Sequence, residues 1–183
     1  MKITLEKKAA LEKIIAWLKN KNRPPYLTLG GYAGTGKTTL TALIRKIIHN
    51  KNPKVKIALV SYTGKAARVL KETLKRLEAD FKNDHIGTIH SLIYAPIIND
   101  TSDITGWKKK DKVDVKLIIV DEASMVDYGL WQDLLSYNIP VLAIGDHGQL
   151  PPVEGNFNLM EKPEIKLEKI YRQAADNPII NLS

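Results

Sequence analysis

The sequence predicts an α/β fold, a mostly parallel β-sheet flanked by helices with a small insertion. Short apolar segments alternate along the chain with segments whose apolar residues recur at helical spacing. Residues 117–120 (LIIV) form an uninterrupted apolar run, which is typical of a strand buried on both faces. A glycine-rich turn joins the first strand-like segment to a helical one. This alternation predicts βαβ units and therefore parallel strands.

The first elements follow from spacing and from proline. Apolar residues at helical spacing predict a helix over 5–18, which Pro24 and Pro25 end. Residues 26–30 (YLTLG) are predicted as a strand, and the glycine-rich turn then leads into a helix over 37–49.

The same order of strand and helix repeats further along. Residues 55–61 (VKIALVS) and 140–145 (PVLAIG) have the composition of strands, as has the run at 117–120. Helices are predicted over 66–77 and 128–135, and a last short strand over 165–167.

One block, residues 93–113, does not fit the alternation. Its turn-forming residues are Asn99, Asp100, Thr101, Ser102 and Gly106. We interpret it as a small insertion, such as a hairpin, within one domain that covers residues 1–183.

Composition excludes several classes of protein. A length of 183 residues with 44% hydrophobic and 26% charged residues suits one globular domain with a sizeable core. No apolar run approaches the roughly 20 residues of a membrane span, and the charged N-terminus is unlike a secretory signal. The absence of cysteine excludes disulfides and thiolate metal sites, so we expect a cytoplasmic protein.

The charge balance favours an anionic partner. Lys and Arg number 28 against 20 Asp and Glu, a net charge of +8. A basic surface of this size suits nucleic acid, although a merely lysine-rich protein would share it.

Residues 31–38 (GYAGTGKT) match the phosphate-loop pattern G-x-x-x-x-G-K-[ST]. Glycines let backbone N–H groups converge on phosphates, and the following helix presents its positive end. We therefore predict that Lys37 binds the β- and γ-phosphates of ATP and that the Thr38 hydroxyl binds Mg²⁺. The predicted phosphate-binding set is Gly31, Gly34, Thr35, Gly36, Lys37, Thr38 and Thr39.

An acidic pair, Asp121 and Glu122, follows the apolar run 117–120. The carboxyl ends of parallel strands are where ligands of open α/β sheets bind. Asp121 is predicted to hold Mg²⁺, directly or through water, and Glu122 to orient or deprotonate the attacking water. A third strand end continues into residues 145–152 (GDHGQLPP), where Gln149 could sense the γ-phosphate.

These stretches, in this order, resemble superfamily 1 DNA helicases of the RecD-like or Dda-like group over nearly the whole chain. Residues 31–38 resemble motif I and 120–127 (VDEASMVD) motif II, while 144–153 (IGDHGQLPPV) resemble motif III and 167–173 (LEKIYRQ) motif IV. The resemblance implies a RecA-like ATPase domain of a 5′–3′ helicase acting on single-stranded DNA.

The resemblance also implies individual roles. Gln149 would couple nucleotide to DNA, Arg172 would approach the γ-phosphate and Tyr171 would stack on the adenine. Residues 61–67 (SYTGKAA) and 88–92 (TIHSL) resemble motifs that contact DNA, which implies phosphate contacts for Thr63, Lys65, Thr88 and His90. On the residues alone, Thr63 could equally cap a helix and His90 could equally be packed or capping.

The sequence departs from this family in two places. The family opens with L-T-x-x-Q, whose glutamine recognises adenine, whereas residues 3–7 (ITLEK) place Lys7 there. A lysine donates hydrogen bonds but accepts none, so the two-way recognition of adenine by an amide would be lost. The chain also stops shortly after motif IV. We therefore expect a first motor domain of a longer helicase, which in isolation hydrolyses ATP poorly and unwinds nothing.

Other interpretations remain open. A nucleotide-driven switch or small kinase would keep the phosphate loop without DNA, and a nucleic-acid-binding module could carry a degenerate one. The block 93–113 could be a strand-separating pin or a loop, and residues 107–110 (WKKK) could meet DNA or only solvent.

Overall fold

The computed structural model describes residues 4–148 and 157–169. In chain order the elements are α1 (Leu5–Lys19), β1 (Tyr26–Gly31), α2 (Lys37–Lys51), β2 (Ala58–Ser61), α3 (Gly64–Arg76), β3 (His85–Thr88), α4 (Ile89–Ile93), β4 (Tyr94–Ile98), β5 (Ile104–Lys109), β6 (Ile118–Asp121), a 3₁₀ turn (Ala123–Met125), α5 (Tyr128–Leu135), β7 (Val141–Gly145) and β8 (Ile165–Leu167).

Six strands form one sheet in the order β3-β2-β6-β7-β1-β8, and every neighbouring pair is parallel. This confirms the predicted α/β fold. The order places the carboxyl ends of β1, β6 and β7 side by side near the middle of the sheet. Any ligand that lies at this edge can therefore be reached from three strands at once.

Hydrophobic side chains cover both faces of the sheet. On one face Leu59, Ile119 and Leu142 pack with residues of α1, α2 and α3. On the other face Val60 and Val120 pack with residues of α4 and α5. Consecutive strand residues thus point into the hydrophobic cores on opposite faces of the sheet. The strands therefore have continuous apolar sequences.

Two elements, β3 and α4, were not predicted. The four residues of β3 are all half-buried at the edge of the sheet, and only Ile86 among them is a large aliphatic. Strand β2 begins at Ala58 instead of residue 55. Immediately before it, the backbone N–H of Ile57 donates to the Asp84 carboxylate at 3.2 Å rather than to a neighbouring strand.

That carboxylate also anchors α2. The Arg45 guanidinium bonds Asp84 twice, at 2.5 Å through Nε and 3.0 Å through Nη2, and both side chains are fully buried. Arg45 additionally lies over the Phe81 ring, 4.4 Å from its centroid. Because Asp84 and Ile57 immediately precede β3 and β2, this contact ties the C-terminal half of α2 to the amino edge of the sheet.

Within the block 93–113, β4 and β5 pair antiparallel as a hairpin. Its base is fixed to α5, because Asp133 bonds both the Tyr94 hydroxyl and, at 2.7 Å, the Lys109 ammonium. Toward the tip, Ile97, Ile98 and Ile104 are exposed. None of the helices within 4–148 and 157–169 is both long and apolar enough to cross a membrane.

Candidate nucleotide-binding site

The phosphate loop turns between the end of β1 and the start of α2. Gly34 and Gly36 have φ angles of 85° and 86°, in the left-handed region that side-chain-bearing residues rarely adopt. Gly36 is the N-cap of α2, and no side chain caps this helix end. The first backbone N–H groups of α2 are therefore available to an anion, as the sequence pattern requires.

Hydrogen bonds from Lys37 and Thr35 hold the phosphate loop together. The Lys37 ammonium donates to the carbonyl oxygens of Gly31 at 2.6 Å and Tyr32 at 3.2 Å. The Thr35 hydroxyl, which is buried, donates to the same Tyr32 carbonyl at 2.9 Å. Lys37 is thus held inside the loop, where its charge favours a phosphate that enters from the open side.

Asp121 ends β6, close to the phosphate loop at the carboxyl edge. The residue is only 8% exposed, and burial raises the pKa of its carboxyl to about 6. The neighbouring Glu122 charge raises this pKa further, while the Glu122 backbone amide and the Lys37 charge lower it. Negative charge at this position is therefore incompletely compensated, and an added cation would stabilise it.

Glu122 has a backbone conformation that is uncommon for a residue with a side chain. Its φ of 55° and ψ of 39° lie in the left-handed region, directly before the 3₁₀ turn. Strained backbone of this kind persists only where the surrounding structure imposes it, and it concentrates at functional sites. The Ser61 hydroxyl bonds the Asp121 carbonyl at 3.1 Å and helps to fix this turn.

These groups line one cleft of about 800 Å³. Its lining residues are Lys7, Ala33, Gly34, Gly36, Lys37, Thr38, Thr39, Thr63, Lys65, Ala66, Val69, Leu70, Thr73, Arg76, Asp121, Glu122, Met125 and Asp146. Gly31 and Thr35 form the base of the loop and are buried. The cleft thus collects most of the residues predicted to act on phosphate and metal.

The donor set fits Mg²⁺. Thr38 and Asp121, which line the same cleft, offer a hydroxyl and a carboxylate oxygen. Among residues 4–148 and 157–169, no three His, Cys, Asp or Glu residues are grouped so as to hold a metal by themselves. Mg²⁺ suits such a site, because it prefers oxygen ligands and keeps waters and substrate phosphates in its coordination shell.

The residues predicted to contact DNA have structural partners of their own. Thr63 and Thr88 cap α3 and α4, where their hydroxyls accept from the N–H groups of Ala66 at 3.2 Å and Ser91 at 3.0 Å. The His90 ring packs against Tyr94 and Trp107, with centroids 4.6 and 4.3 Å apart.

Their positions divide them into two groups. Thr63 and Lys65 line the nucleotide cleft itself. Thr88 ends β3, the edge strand next to β2, and His90 lies in the first turn of α4. The four residues therefore lie at the carboxyl ends of two neighbouring strands or just beyond them.

The profile of the family described as AAA domain matches residues 14–155. The chain belongs to this family. The RecD subunit of the RecBCD enzyme from Buchnera aphidicola is 32% identical over 96% of this chain. The ATP-dependent RecD2 DNA helicase of Deinococcus radiodurans is 35% identical over 84%. The resemblance to the RecD-like group is thereby confirmed.

This AAA domain covers only part of those relatives, 32% of the length of the first and 20% of the second. Among solved structures, the Pif1 helicase of Candida albicans superposes on 100% of this chain and 43% of its own, with a TM-score of 0.56 and 22% identity. Together with the phosphate loop and the parallel sheet, this likeness confirms the RecA-like fold predicted for the P-loop domain.

Three predicted residues lie outside the described residues: Gln149, Tyr171 and Arg172. Conversely, the cleft includes residues that were not predicted as site residues, among them the charged Asp146 and Arg76. Asp146 directly follows β7 and accepts from the Gly148 N–H at 2.9 Å, so its position after an apolar strand could have indicated it. Arg76 ends α3, twelve residues beyond Gly64, and no local pattern distinguishes it.

Proposed function

We propose that this chain is the ATP-hydrolysing first motor domain of a helicase that moves 5′ to 3′ on single-stranded DNA. The observation that carries the proposal is a single cleft in which the phosphate loop meets Asp121 and Glu122. The RecD and RecD2 relatives support the helicase assignment, and the net charge of +8 supports a nucleic-acid partner. A second motor domain and a cytoplasmic location belong to the same proposal.

Each residue of the cleft has a role that its position supports. Lys37 and the first N–H groups of α2 bind the β- and γ-phosphates. Thr38 and Asp121 hold Mg²⁺, which when bound supplies positive charge against the leaving phosphates. Glu122 orients the attacking water and accepts its proton. Gln149 couples nucleotide to DNA, Arg172 stabilises charge at the γ-phosphate and Tyr171 stacks on the base.

DNA contacts fall at the adjacent strand ends. Thr63 and Lys65, after β2, share the cleft with the phosphate loop, so a strand bound there lies close to the nucleotide. Thr88, at the end of β3, and His90, in α4, lie at the carboxyl end of the neighbouring strand. Hydroxyls, helix N-termini and a lysine grip phosphates without reading the base sequence.

The test is fluorescence anisotropy of a labelled oligothymidine titrated with this chain, with and without Mg²⁺ and a non-hydrolysable ATP analogue. DNA binding should weaken steeply with salt, and the analogue should change the affinity of the wild type. Lys37→Ala should abolish the effect of the analogue. Lys51→Ala, an exposed lysine at the other end of α2, should retain it.

Two results would contradict the proposal in different ways. If the analogue binds but oligothymidine does not at any salt concentration, the DNA assignment is wrong for this domain. If Lys37→Ala responds to the analogue as the wild type does, the phosphate loop is not the nucleotide site. Measurable unwinding by residues 1–183 alone would contradict the requirement for a second motor domain.

Within this proposal, the hairpin of β4 and β5 separates the strands of a duplex. Its exposed tip residues Ile97, Ile98 and Ile104 would pack against the terminal base pair of the duplex. The other end of the hairpin is fixed to α5 by the Lys109–Asp133 contact. Replacing the three isoleucines by serine should leave oligothymidine affinity unchanged and reduce affinity for a forked duplex. Equal losses on both DNAs would exclude a pin.

A further inference from the structure

Lys7 reaches the phosphate loop from outside it. A Cβ built on Gly36 would overlap the Lys7 ammonium and would lie 2.9 Å from Lys7 Cε. The Lys7 ammonium therefore contacts Gly36, the N-cap of α2. Lys7 is half-buried and lines the same cleft as Lys37 and Thr38.

The backbone that carries Lys7 is fixed at two points. Thr4 caps α1, and its hydroxyl accepts from the Lys7 N–H at 3.3 Å. The Glu6 carboxylate accepts from the Glu168 N–H at 2.7 Å, which ties the start of α1 to the end of β8. The first turn of α1 is thus held beside β8, and the Lys7 side chain extends from there across to α2.

Lys7 adds a second ammonium to a loop that already holds one. The Lys37 ammonium is bonded to the carbonyls of Gly31 and Tyr32, at the start of the loop. The Lys7 ammonium lies against Gly36, at the end of the loop. Two ammonium groups that converge on the uncapped end of α2 create a site for a ligand with several negative charges, as a polyphosphate has.

The same residue is unsuited to recognising adenine. Adenine presents an exocyclic amino donor beside its ring acceptors, and an ammonium can donate to acceptors but can accept from no donor. An ammonium that lies on the phosphate loop also has its charge where the phosphates bind, whatever base they carry.

We propose that Lys7 binds the polyphosphate chain of the nucleotide, and that the site accepts nucleoside triphosphates of any base. This inference rests on the proposed nucleotide function of the phosphate loop. It widens the proposed substrate class from adenine nucleotides to nucleoside triphosphates in general.

The test measures binding of ATP, GTP, CTP and UTP to the chain by isothermal titration calorimetry, with inorganic tripolyphosphate as competitor. The wild type should bind all four within about threefold, and tripolyphosphate should displace each. Lys7→Met, which removes the charge without introducing an adenine-recognising amide, should weaken all four by about tenfold, as expected on loss of one charge-assisted hydrogen bond. Its binding should also depend less on salt. Lys8→Met, an exposed neighbour with the same change in charge, should bind as the wild type does.

The outcomes separate this inference from the proposed function. A preference of the wild type for ATP of more than about twentyfold, or Lys7→Met binding like Lys8→Met, overturns the role of Lys7 while nucleotide binding stands. An effect of Lys7→Met confined to ATP overturns it as well, since it would indicate contact with the base. A wild type that binds neither nucleotide nor tripolyphosphate overturns both.

Discussion

At the amino edge of the sheet, the buried carboxylate of Asp84 accepts hydrogen bonds from the Arg45 guanidinium and the Ile57 N–H. At the carboxyl edge, by contrast, burial raises the pKa of the Asp121 carboxyl to about 6. Asp84 joins α2 to the starts of two strands, and Asp121 opens into a cleft shared with Lys37. One edge therefore uses charge to hold the fold together, and the other keeps charge available for a ligand. Four substitutions test this difference, in order of decreasing expected effect.

The largest effect is expected at the amino edge. Arg45→Leu leaves the Asp84 carboxylate buried without its partner, so the free energy of unfolding should fall by about 3–5 kcal/mol in urea denaturation. Lys46→Leu is the matched control, because Lys46 pairs with Glu78 at 3.8 Å and both side chains are exposed. Its effect should stay below about 1 kcal/mol. Equal effects of the two substitutions would show that the buried pair has no special role.

At the carboxyl edge the expected change has the opposite sign. The pKa of Asp121 rises from 3.8 to about 6 on folding, so the folded state prefers the protonated carboxyl. The cost of ionisation is absent below pH 3.8, grows through the interval up to pH 6 and is complete above it. Without Mg²⁺, the contribution of Asp121 to the free energy of unfolding should thus decline by up to about 3 kcal/mol over this interval.

Asp121→Asn removes the titrating group and should remove that decline. Urea denaturation in EDTA at several pH values between 4 and 8 would show it as a variant more stable than wild type near pH 7.5. The exposed Asp100 gives a control, since Asp100→Asn should retain the wild-type pH dependence. A variant that is less stable than wild type at pH 7.5 would mean that the carboxylate supports the fold.

A smaller effect is expected at Thr63, which caps α3 and is also proposed to contact DNA. Thr63→Ala should cost about 1 kcal/mol of stability, since the cap of α3 is lost. Thr63→Asp retains a capping oxygen and should preserve stability, yet its negative charge should repel a DNA phosphate. Loss of oligothymidine affinity in a stable Thr63→Asp protein would support the DNA contact, and unchanged affinity would leave Thr63 only its capping role.

The smallest effect is expected for the pair of Lys56 and Asp114, 2.7 Å apart at the amino edge. The Lys56 ammonium lowers the pKa of the Asp114 carboxyl, but both side chains are exposed and solvent screens them. Lys56→Gln should leave the urea midpoint unchanged within experimental error. A clear shift would show that charge at the amino edge supports the fold even at the surface.

The sequence predicts the carboxyl edge better than the amino edge for a physical reason. Phosphate binding and metal binding require particular residue types at fixed spacing, as in residues 31–38 and at Asp121–Glu122. The pairing of Arg45 with Asp84 joins residues 39 positions apart, and neither has a local pattern around it. Arg45 lies one helical turn after Thr41 on α2, and a charged residue on this buried face is costly unless it is paired, but the burial itself is known only from the structure.

The sequence also could not predict where the helices and strands lie relative to one another. The spacing of residues 5–18 predicted α1, but the contact of Lys7 with Gly36 depends on where α1 docks beside β8. Strand β3 was not predicted because His85, Gly87 and Thr88 lack the apolar character of the central strands. Its place at the edge of the sheet, with all four residues half-buried, explains that composition.

The pairing of β1 with β8 has a consequence for how the protein forms. The Thr28 N–H donates to the Glu164 carboxylate at 3.0 Å, across a separation of 136 residues, and Gly31 lies opposite Leu167 in the ladder. At translation rates of 5–20 residues per second, the strand that leads into the phosphate loop waits on the order of ten seconds for this neighbour. Until then the nascent chain exposes an unpaired strand edge, and the Glu168 N–H that holds Glu6 has not been made. If the phosphate loop binds nucleotide as proposed, binding has to wait until β8 has been synthesised, and a chaperone that shields strand edges would protect β1 during that interval.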